Sequence, residues 1–133
     1  MNEIIELGKT WKKALSSGDV DNVTKLYAGD AVLWGTLSPV IRNTPELIRE
    51  YFLKFATLED ITVEFRDREV RRHGDIALNT GYYFFSWKEN GKKITVPGRY
   101  SFVYRFDGEW KIIDHHSSVI PEQPFDLSKF IEE

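Results

Sequence analysis

Apolar side chains in the first part of the chain recur every three or four residues, which is the spacing of an amphipathic helix. Three such stretches occur. The first ends at Gly18 and the second closes at Gly29. The third begins at Pro45, behind Thr44 as its cap. Their apolar stripes are Ile4, Leu7, Trp11, Ala14 and Leu15; Val20, Val23, Leu26 and Tyr27; and Leu47, Ile48, Tyr51, Phe52 and Phe55.

The second half of the chain has the pattern of β-strands. Turn signals of the Asn-Gly and Asp-Gly type stand at Asn90-Gly91 and Asp107-Gly108, between long alternating runs. Four strands are predicted, at 61–72, 76–88, 93–106 and 109–119. With a short strand at 31–34 before the third helix, the pattern predicts an α+β fold: a cone-like, curved antiparallel sheet wrapped around three N-terminal helices.

The strand from 93 to 106 has two different faces. Tyr100, Phe102 and Tyr104 project to one side, while Arg99 and Ser101 project to the other. We expect the aromatic row on the outer face, covered by a second copy, because a patch of that size is rarely left exposed on a monomer. The alternative is that the aromatic row is the core and the arginine row faces water.

Length, charge and composition exclude several classes of partner and of catalytic site. A chain of 133 residues suits one domain. The net charge of −3 without a basic patch argues against nucleic acid as a partner. Neither a signal peptide nor a stretch of eighteen apolar residues is present, so we expect a cytoplasmic protein without a membrane partner. The absence of cysteine removes thiolate catalysis and thiolate metal sites.

Two segments resemble the nuclear transport factor 2-like superfamily: residues 17–32, with Gly18-Asp19 at a helix junction, and the closing run from Asp107 to Ser118. Tyr51-Phe52 on the third helix adds to the resemblance. Within the superfamily the chain is most similar to bacterial relatives of the calcium/calmodulin-dependent protein kinase II association domain, which overlap with SnoaL-like proteins. The similarity extends from about residue 3 to 120.

The resemblance implies a cone-shaped protomer with a pocket between helices and sheet, pairing through the outer sheet face into a homodimer or a larger ring. The arginines that the kinase domains place in this pocket align with Ser101 and Ser117, so Arg99 or Arg42 would have to supply the charge. A carboxylate ligand is then expected, because a buried guanidinium needs a partner. The predicted pocket residues are Trp34, Arg42, Tyr51, Tyr83, Arg99, Ser101, His115 and Ser117, and the predicted interface residues are Tyr100, Phe102, Tyr104, Trp110 and His116.

Catalysis has one candidate residue, His115, whose imidazole could act as an acid or a base. The resemblance places the carboxylate base of a ketosteroid isomerase at Gly35, where it is missing. Asp114 projects to the face opposite His115 and lies instead beside His116. No zinc-ligand spacing or glycine-rich phosphate loop occurs, so no metal and no cofactor are expected.

We therefore expect residues 1–120 to form one association-type domain that oligomerises and binds a small organic molecule. The alternative is a SnoaL-like isomerase or hydratase acting on a small carbonyl compound without a cofactor. Residues 121–133 are expected to be a separate tail, with Asp126 capping a last helical turn that docks on the domain or on a neighbour. Fraying of the tail is the other possibility.

Overall fold

The computed structural model of the protein describes residues 2–122. The tail helix predicted at Asp126 lies outside this range. Three helices and five strands follow one another along the chain. They are α1 (Asn2–Ser16), α2 (Val20–Thr24), β1 (Tyr27–Trp34), α3 (Pro45–Ala56), β2 (Glu59–His73), β3 (Ile76–Glu89), β4 (Lys92–Phe106) and β5 (Trp110–Val119).

The helices begin where local chemistry favours a helical start. At α3 the Thr44 hydroxyl accepts a hydrogen bond from the Leu47 backbone N–H at 3.2 Å, and Pro45 fills the first helical position, as predicted. At α2 the Asp19 carboxylate accepts from the Asp21 N–H at 3.0 Å. In α1 the apolar stripe is buried against the sheet, with Trp11 at its centre. None of the helices within residues 2–122 is long and apolar enough to cross a membrane.

The five strands form one sheet in the order β1-β5-β4-β3-β2. Strands β2 to β5 make the antiparallel meander that the turn signals predict. Asn90 and Gly91 both adopt positive φ, of 50° and 77°, as a tight hairpin turn requires. The first strand adds a feature that the sequence did not predict, because β1 pairs with β5 in parallel.

Tyr27 belongs to β1 and not to the second helix, where its spacing placed it. It lies opposite Ile112, whose N–H donates to the Leu26 carbonyl at 2.9 Å. The register shifts between Tyr27 and Val32, so the strand is irregular near Gly29. Pairing with β5 therefore overrides the local helical pattern and aims the Tyr27 ring into the interior.

The side chains of β4 face the opposite way from the prediction. Tyr100, Phe102 and Tyr104 are buried beneath the helices and are not an outer interface. Arg99 is exposed and Ser101 is half-buried on the outer face.

The reason is the pairing of β4 with β5. Phe102 lies directly opposite His115, and Tyr100 opposite Ser117, so an even position on β4 shares a face with an odd position on β5. The prediction matched odd with odd. A slip of one residue reverses every side chain of a strand.

The core itself favours this choice. Trp11 of α1 needs apolar neighbours, and its ring centroid lies 5.3 Å from that of Phe102. The alternative row would bring Arg99 and Arg105 under the helices, and burial of unpaired guanidinium groups is costly. Of the two other predicted interface residues, His116 is exposed, whereas Trp110 is half-buried and packs against the core. Their place in an interface stays a prediction.

Candidate functional site

A buried hydrogen-bonded chain centred on His115 occupies the space between the helices and the sheet. The His115 side chain is 2% exposed. The Tyr27 hydroxyl lies 2.8 Å from its Nδ1, and the Tyr83 hydroxyl lies 3.3 Å from its Nε2. Tyr83 also contacts the Ser117 hydroxyl, which in turn contacts the hydroxyl of Thr36. Residues from β1, β3 and β5 thus meet at one imidazole.

The direction of the hydrogen bonds follows from Trp11, whose indole nitrogen can only donate. Its Nε1 donates to the Tyr27 hydroxyl at 3.1 Å. The Tyr27 proton is then available for His115 Nδ1, so the imidazole carries its own proton on Nε2 and donates it to Tyr83. Tyr83 donates onward to Ser117. The chain therefore has a single consistent direction, from the indole toward the half-buried Thr36.

Burial sets the protonation of this cluster. Desolvation lowers the pKa of His115 to about 3, with a smaller contribution from the charge of His116. Desolvation also raises the pKa of Tyr27 and of Tyr83 far above the ordinary value of tyrosine. At neutral pH the imidazole is uncharged and both phenols keep their protons. The cluster is thus a fixed array of neutral donors and acceptors, with both imidazole nitrogens engaged.

Aromatic rings fill the interior where a pocket was expected. The Trp11 ring centroid lies 6.1 Å from that of Tyr83 and 5.6 Å from that of His115. Phe102 stacks on His115 with ring centroids 4.1 Å apart. In this conformation the polar chain is enclosed by packed rings and does not line an open cavity for an organic molecule.

The loop between β1 and α3 covers one end of the chain, because it carries Thr36. Tyr51 of α3 holds this loop, since its hydroxyl accepts from the Leu37 N–H at 3.3 Å. Gly35 allows the close approach: a Cβ at this position would lie 2.4 Å from the Tyr51 ring. Burial raises the pKa of Tyr51 to about 12. The absent isomerase base at Gly35 therefore coincides with a packing contact that leaves no room for a side chain.

Arg42 is buried but has a structural environment. Its guanidinium donates to the Glu50 carboxylate at 3.0 Å, to the Leu47 carbonyl at 3.3 Å and to the Ser38 hydroxyl at 3.1 Å. These partners belong to the loop and to α3. Arg42 thus ties the loop to the helix, and none of the hydrogen bonds named here joins it to the His115 cluster.

Apart from Arg42, the predicted pocket residues fall into two groups in the structure. Tyr83, His115 and Ser117 come together in the interior, with Tyr51 at the covering loop. Trp34 is 45% exposed and lies beside His116 in the parallel register, on the outer face. Arg99 and Ser101 also lie on that face, where they line a shallow groove of about 160 Å³ together with Tyr100, His116 and Ser118.

Sequence reasoning missed Trp11, Tyr27 and Thr36 as members of the buried chain. A partial signal exists for the first two, because a buried indole N–H or phenol usually needs a hydrogen-bond partner. The partners come from distant parts of the sequence: Tyr27 and His115 are 88 positions apart. Only the assembled sheet identifies them.

Comparisons with known proteins show which family the chain belongs to. The family profile of the calcium/calmodulin-dependent protein kinase II association domain matches residues 1–121. A Xanthomonas campestris structure assigned to that domain is 42% identical, covering 91% of this chain and 88% of that chain, with a TM-score of 0.85. No protein with a curated description matches.

Two more distant structures share the fold. A Streptomyces avermitilis protein, assigned as a dehydratase of the nuclear transport factor 2-like family, is 18% identical, with a TM-score of 0.80 over 90% of this chain and 95% of that chain. The calcium/calmodulin-dependent protein kinase II hub of S. rosetta is also 18% identical, with a TM-score of 0.75 over 88% and 94%. These matches confirm the nuclear transport factor 2-like fold predicted from the sequence.

Proposed function

We propose, from the premise that this chain belongs to the calcium/calmodulin-dependent protein kinase II association-domain family, that it functions by associating with copies of itself. The surface that we assign to this association is the outer face of the sheet. The name of the family and the hub proteins that share the fold support self-association. A homodimer is the smallest assembly that satisfies the proposal.

The observation that carries the proposal is the apolar character of this outer face. Trp34 and Tyr82 are 45% and 41% exposed. Three further apolar side chains beside them are only half-buried: Leu78, Phe84 and Val103. Aromatic side chains exposed on a flat sheet are typical of surfaces that bind another protein.

The polar groups on the same face suit a self-complementary contact. Arg99 and the half-buried Asp114 lie on neighbouring strands, and burial raises the pKa of the Asp114 carboxyl. In a twofold interface each contact occurs twice, once in each direction. Arg99 of one protomer can therefore contact Asp114 of the other, and Asp114 of the first can contact Arg99 of the second. Such a pair would give the Asp114 carboxylate an ion-pair partner, which it does not have among residues 2–122.

The test is the mass of the particle in solution, measured by light scattering after size exclusion. The wild-type chain is expected at a mass at least twice that of one chain. Tyr82→Asp is expected to shift the population toward monomer, because it places an unpaired charge in an apolar contact. Glu46→Gln, an exposed change on α3 and not on the sheet, is the control and keeps the wild-type mass. A monomeric wild-type protein at micromolar concentration would end the proposal.

A small organic ligand is the second part of the proposal. Its support is the group of hydroxyls in the interior, which reaches the half-buried Thr36 at the covering loop. Tyr83, His115 and Ser117 would contact such a ligand once Trp11 and the loop moved. Mass spectrometry of the protein purified without added ligand, under non-denaturing conditions, tests this part. Only the bare polypeptide mass in every preparation would count against it.

The isomerase or hydratase alternative has less support. His115 is its candidate base, yet both ring nitrogens are engaged and its lowered pKa makes it a poor proton acceptor at neutral pH. We expect no deuterium exchange into small ketones above the buffer rate. Exchange that His115→Gln abolishes would revive the enzymatic interpretation.

A further inference from the structure

Two buried nitrogen atoms under α1 have no hydrogen-bond partner among residues 2–122: Arg68 Nη1 and Asn79 Nδ2. They converge on one place, the bare Cα of Gly8. A methyl group on Gly8 would lie 3.2 Å from Asn79 Nδ2 and 4.0 Å from Arg68 Nη1. Both atoms can only donate, and a donor buried without an acceptor costs about 1–3 kcal/mol. Buried donors in native proteins are seldom left without an acceptor.

A bulge in β2 brings Arg68 to this place. The register with β3 shifts between Arg66 and Glu69, and Asp67 adopts a positive φ of 54°. Before the bulge Ile61 and Val63 face inward; after it Arg68 takes the inward position, with its guanidinium 5.4 Å from the Phe65 ring. An uninterrupted strand would have aimed Asp67 inward instead. Bulges that redirect one side chain occur often beside binding sites.

Asn79 on β3 completes the donor set. Its side chain is 0% exposed, and its Oδ1 accepts from the Tyr100 hydroxyl at 2.9 Å. With Oδ1 engaged by Tyr100, the Nδ2 end of the amide is directed at Gly8. Gly81 leaves room for the arrangement, because a Cβ there would lie 3.2 Å from the Tyr100 hydroxyl.

The charge of the site identifies the class of acceptor. No carboxylate within residues 2–122 forms an ion pair with Arg68, whereas Arg42, Arg49, Arg72 and Arg105 each have one. A guanidinium and an amide N–H that point to one place, with no acidic partner, favour an anion over a neutral acceptor. The close packing of α1 over these donors, with a Gly8 Cβ position 3.2 Å from Asn79 Nδ2, favours a small anion.

We propose that Arg68 and Asn79 bind a small monovalent anion beneath Gly8, between α1, β2 and β3. This site is separate from the outer sheet face and from the His115 cluster, and it does not depend on self-association. The sequence predicted that a buried arginine, Arg99 or Arg42, would need an anionic ligand. In this proposal the arginine that binds the anion is Arg68.

The probes are sodium formate, the smallest carboxylate, and sodium bromide. Calorimetric titration of the wild-type chain with formate, at constant ionic strength in methanesulfonate, measures the affinity. Arg68→Met is expected to weaken binding at least about tenfold, because it removes a charge-assisted donor. Gly8→Ala is expected to abolish it, because the added methyl group would lie 3.2 Å from Asn79 Nδ2 and displace this donor. Two control variants are expected to keep wild-type affinity. Arg66→Met changes an exposed residue of the same strand, and Gly29→Ala adds a methyl group that has no described atom within 4 Å.

Diffraction from crystals soaked in bromide locates the ion. An anomalous peak within hydrogen-bond distance of both Arg68 and Asn79 is expected in the wild type and not in Gly8→Ala. An ordered water with no anomalous signal at this position would overturn the proposal, as would equal formate affinity in the wild type and Arg68→Met. If Arg68→Met does not fold, the comparison of Gly8→Ala with Gly29→Ala decides. Oligomer mass is recorded for each variant, so a failure of self-association is recognised separately.

Discussion

Phe102 and His115 stack face to face, with ring centroids 4.1 Å apart and planes inclined by 25°. The two residues lie directly opposite each other on β4 and β5. This contact joins the aromatic core to the buried hydrogen-bonded chain. Because Phe102 and His115 are cross-strand partners, their side chains project to the same face of the sheet, which is the face that packs against the helices.

The first prediction concerns pH. The folded state holds His115 neutral with a pKa of about 3, while the unfolded chain has the ordinary value of 6.5. Between these values the unfolded state binds one more proton, so stability is full above pH 6.5 and falls as the pH is lowered toward 3. His115→Gln should make the free energy of unfolding less dependent on pH in this window, by up to about 1.4 kcal/mol per pH unit.

Urea unfolding at pH 7, 6, 5 and 4.5 measures this slope. His116→Gln is the matched control, since His116 is the exposed neighbour. Parallel curves for the wild type and His115→Gln would mean that His115 is already protonated or accessible in the fold.

The second prediction compares two buried phenols. The Tyr104 hydroxyl is buried with no partner in the described part of the chain, whereas that of Tyr83 contacts both Ser117 and His115. Tyr104→Phe should therefore leave stability unchanged or raise it by about 1 kcal/mol, while Tyr83→Phe should lower it by about 1–3 kcal/mol. Thermal and urea unfolding report both values. Equal losses would show that Tyr104 has a partner in solution.

The third prediction concerns the covering loop. Gly35→Ala places a methyl group 2.4 Å from the Tyr51 ring, so Tyr51 or the loop has to move. Overpacking of this kind costs about 1–3 kcal/mol. Gly29→Ala lies in β1, where an added methyl group would have no described atom within 4 Å, and should stay within about 0.5 kcal/mol of the wild type. A neutral Gly35→Ala would indicate that the loop does not rest on Tyr51.

The fourth prediction tests Arg42 as the tie between loop and helix. Arg42→Met removes three hydrogen bonds from a buried guanidinium and should lower stability by about 2 kcal/mol. Arg49→Met removes an exposed ion pair with Asp21 and should cost less than about 1 kcal/mol. Unfolding in urea ranks the two. A larger loss for Arg49→Met would reassign the structural role.

Local patterns in the sequence were sufficient for the helices, the hairpin at Asn90-Gly91 and the class of fold. They were not sufficient for the faces of the sheet. Alternation along β4 separates Phe102 from Arg99 but does not say which one is inside. That choice depends on the register with β5, which shifts between Val103 and Tyr104, and no local pattern shows such a shift.

The candidate site was predicted in part for the same reason. His115, Ser117 and Tyr83 do lie in the interior, and their role in binding a ligand stays a prediction. Arg99 and Ser101 were placed wrongly through the register of β4. Arg68 was not considered, because the bulge at Asp67 that turns it inward depends on pairing with β3 and on the space at Gly81.

The parallel pairing of β1 with β5 has a consequence for how the chain acquires its structure. The strand at Tyr27–Trp34 is synthesised well before the strand beside it, Trp110–Val119. The hairpins from β2 to β5 can form in succession, each at a small entropic cost, whereas the β1 contact closes a loop over most of the chain. Nascent chains that stop before Trp110 should therefore leave β1 without its neighbour, and they should be bound by chaperones or degraded by proteases until β5 has been made.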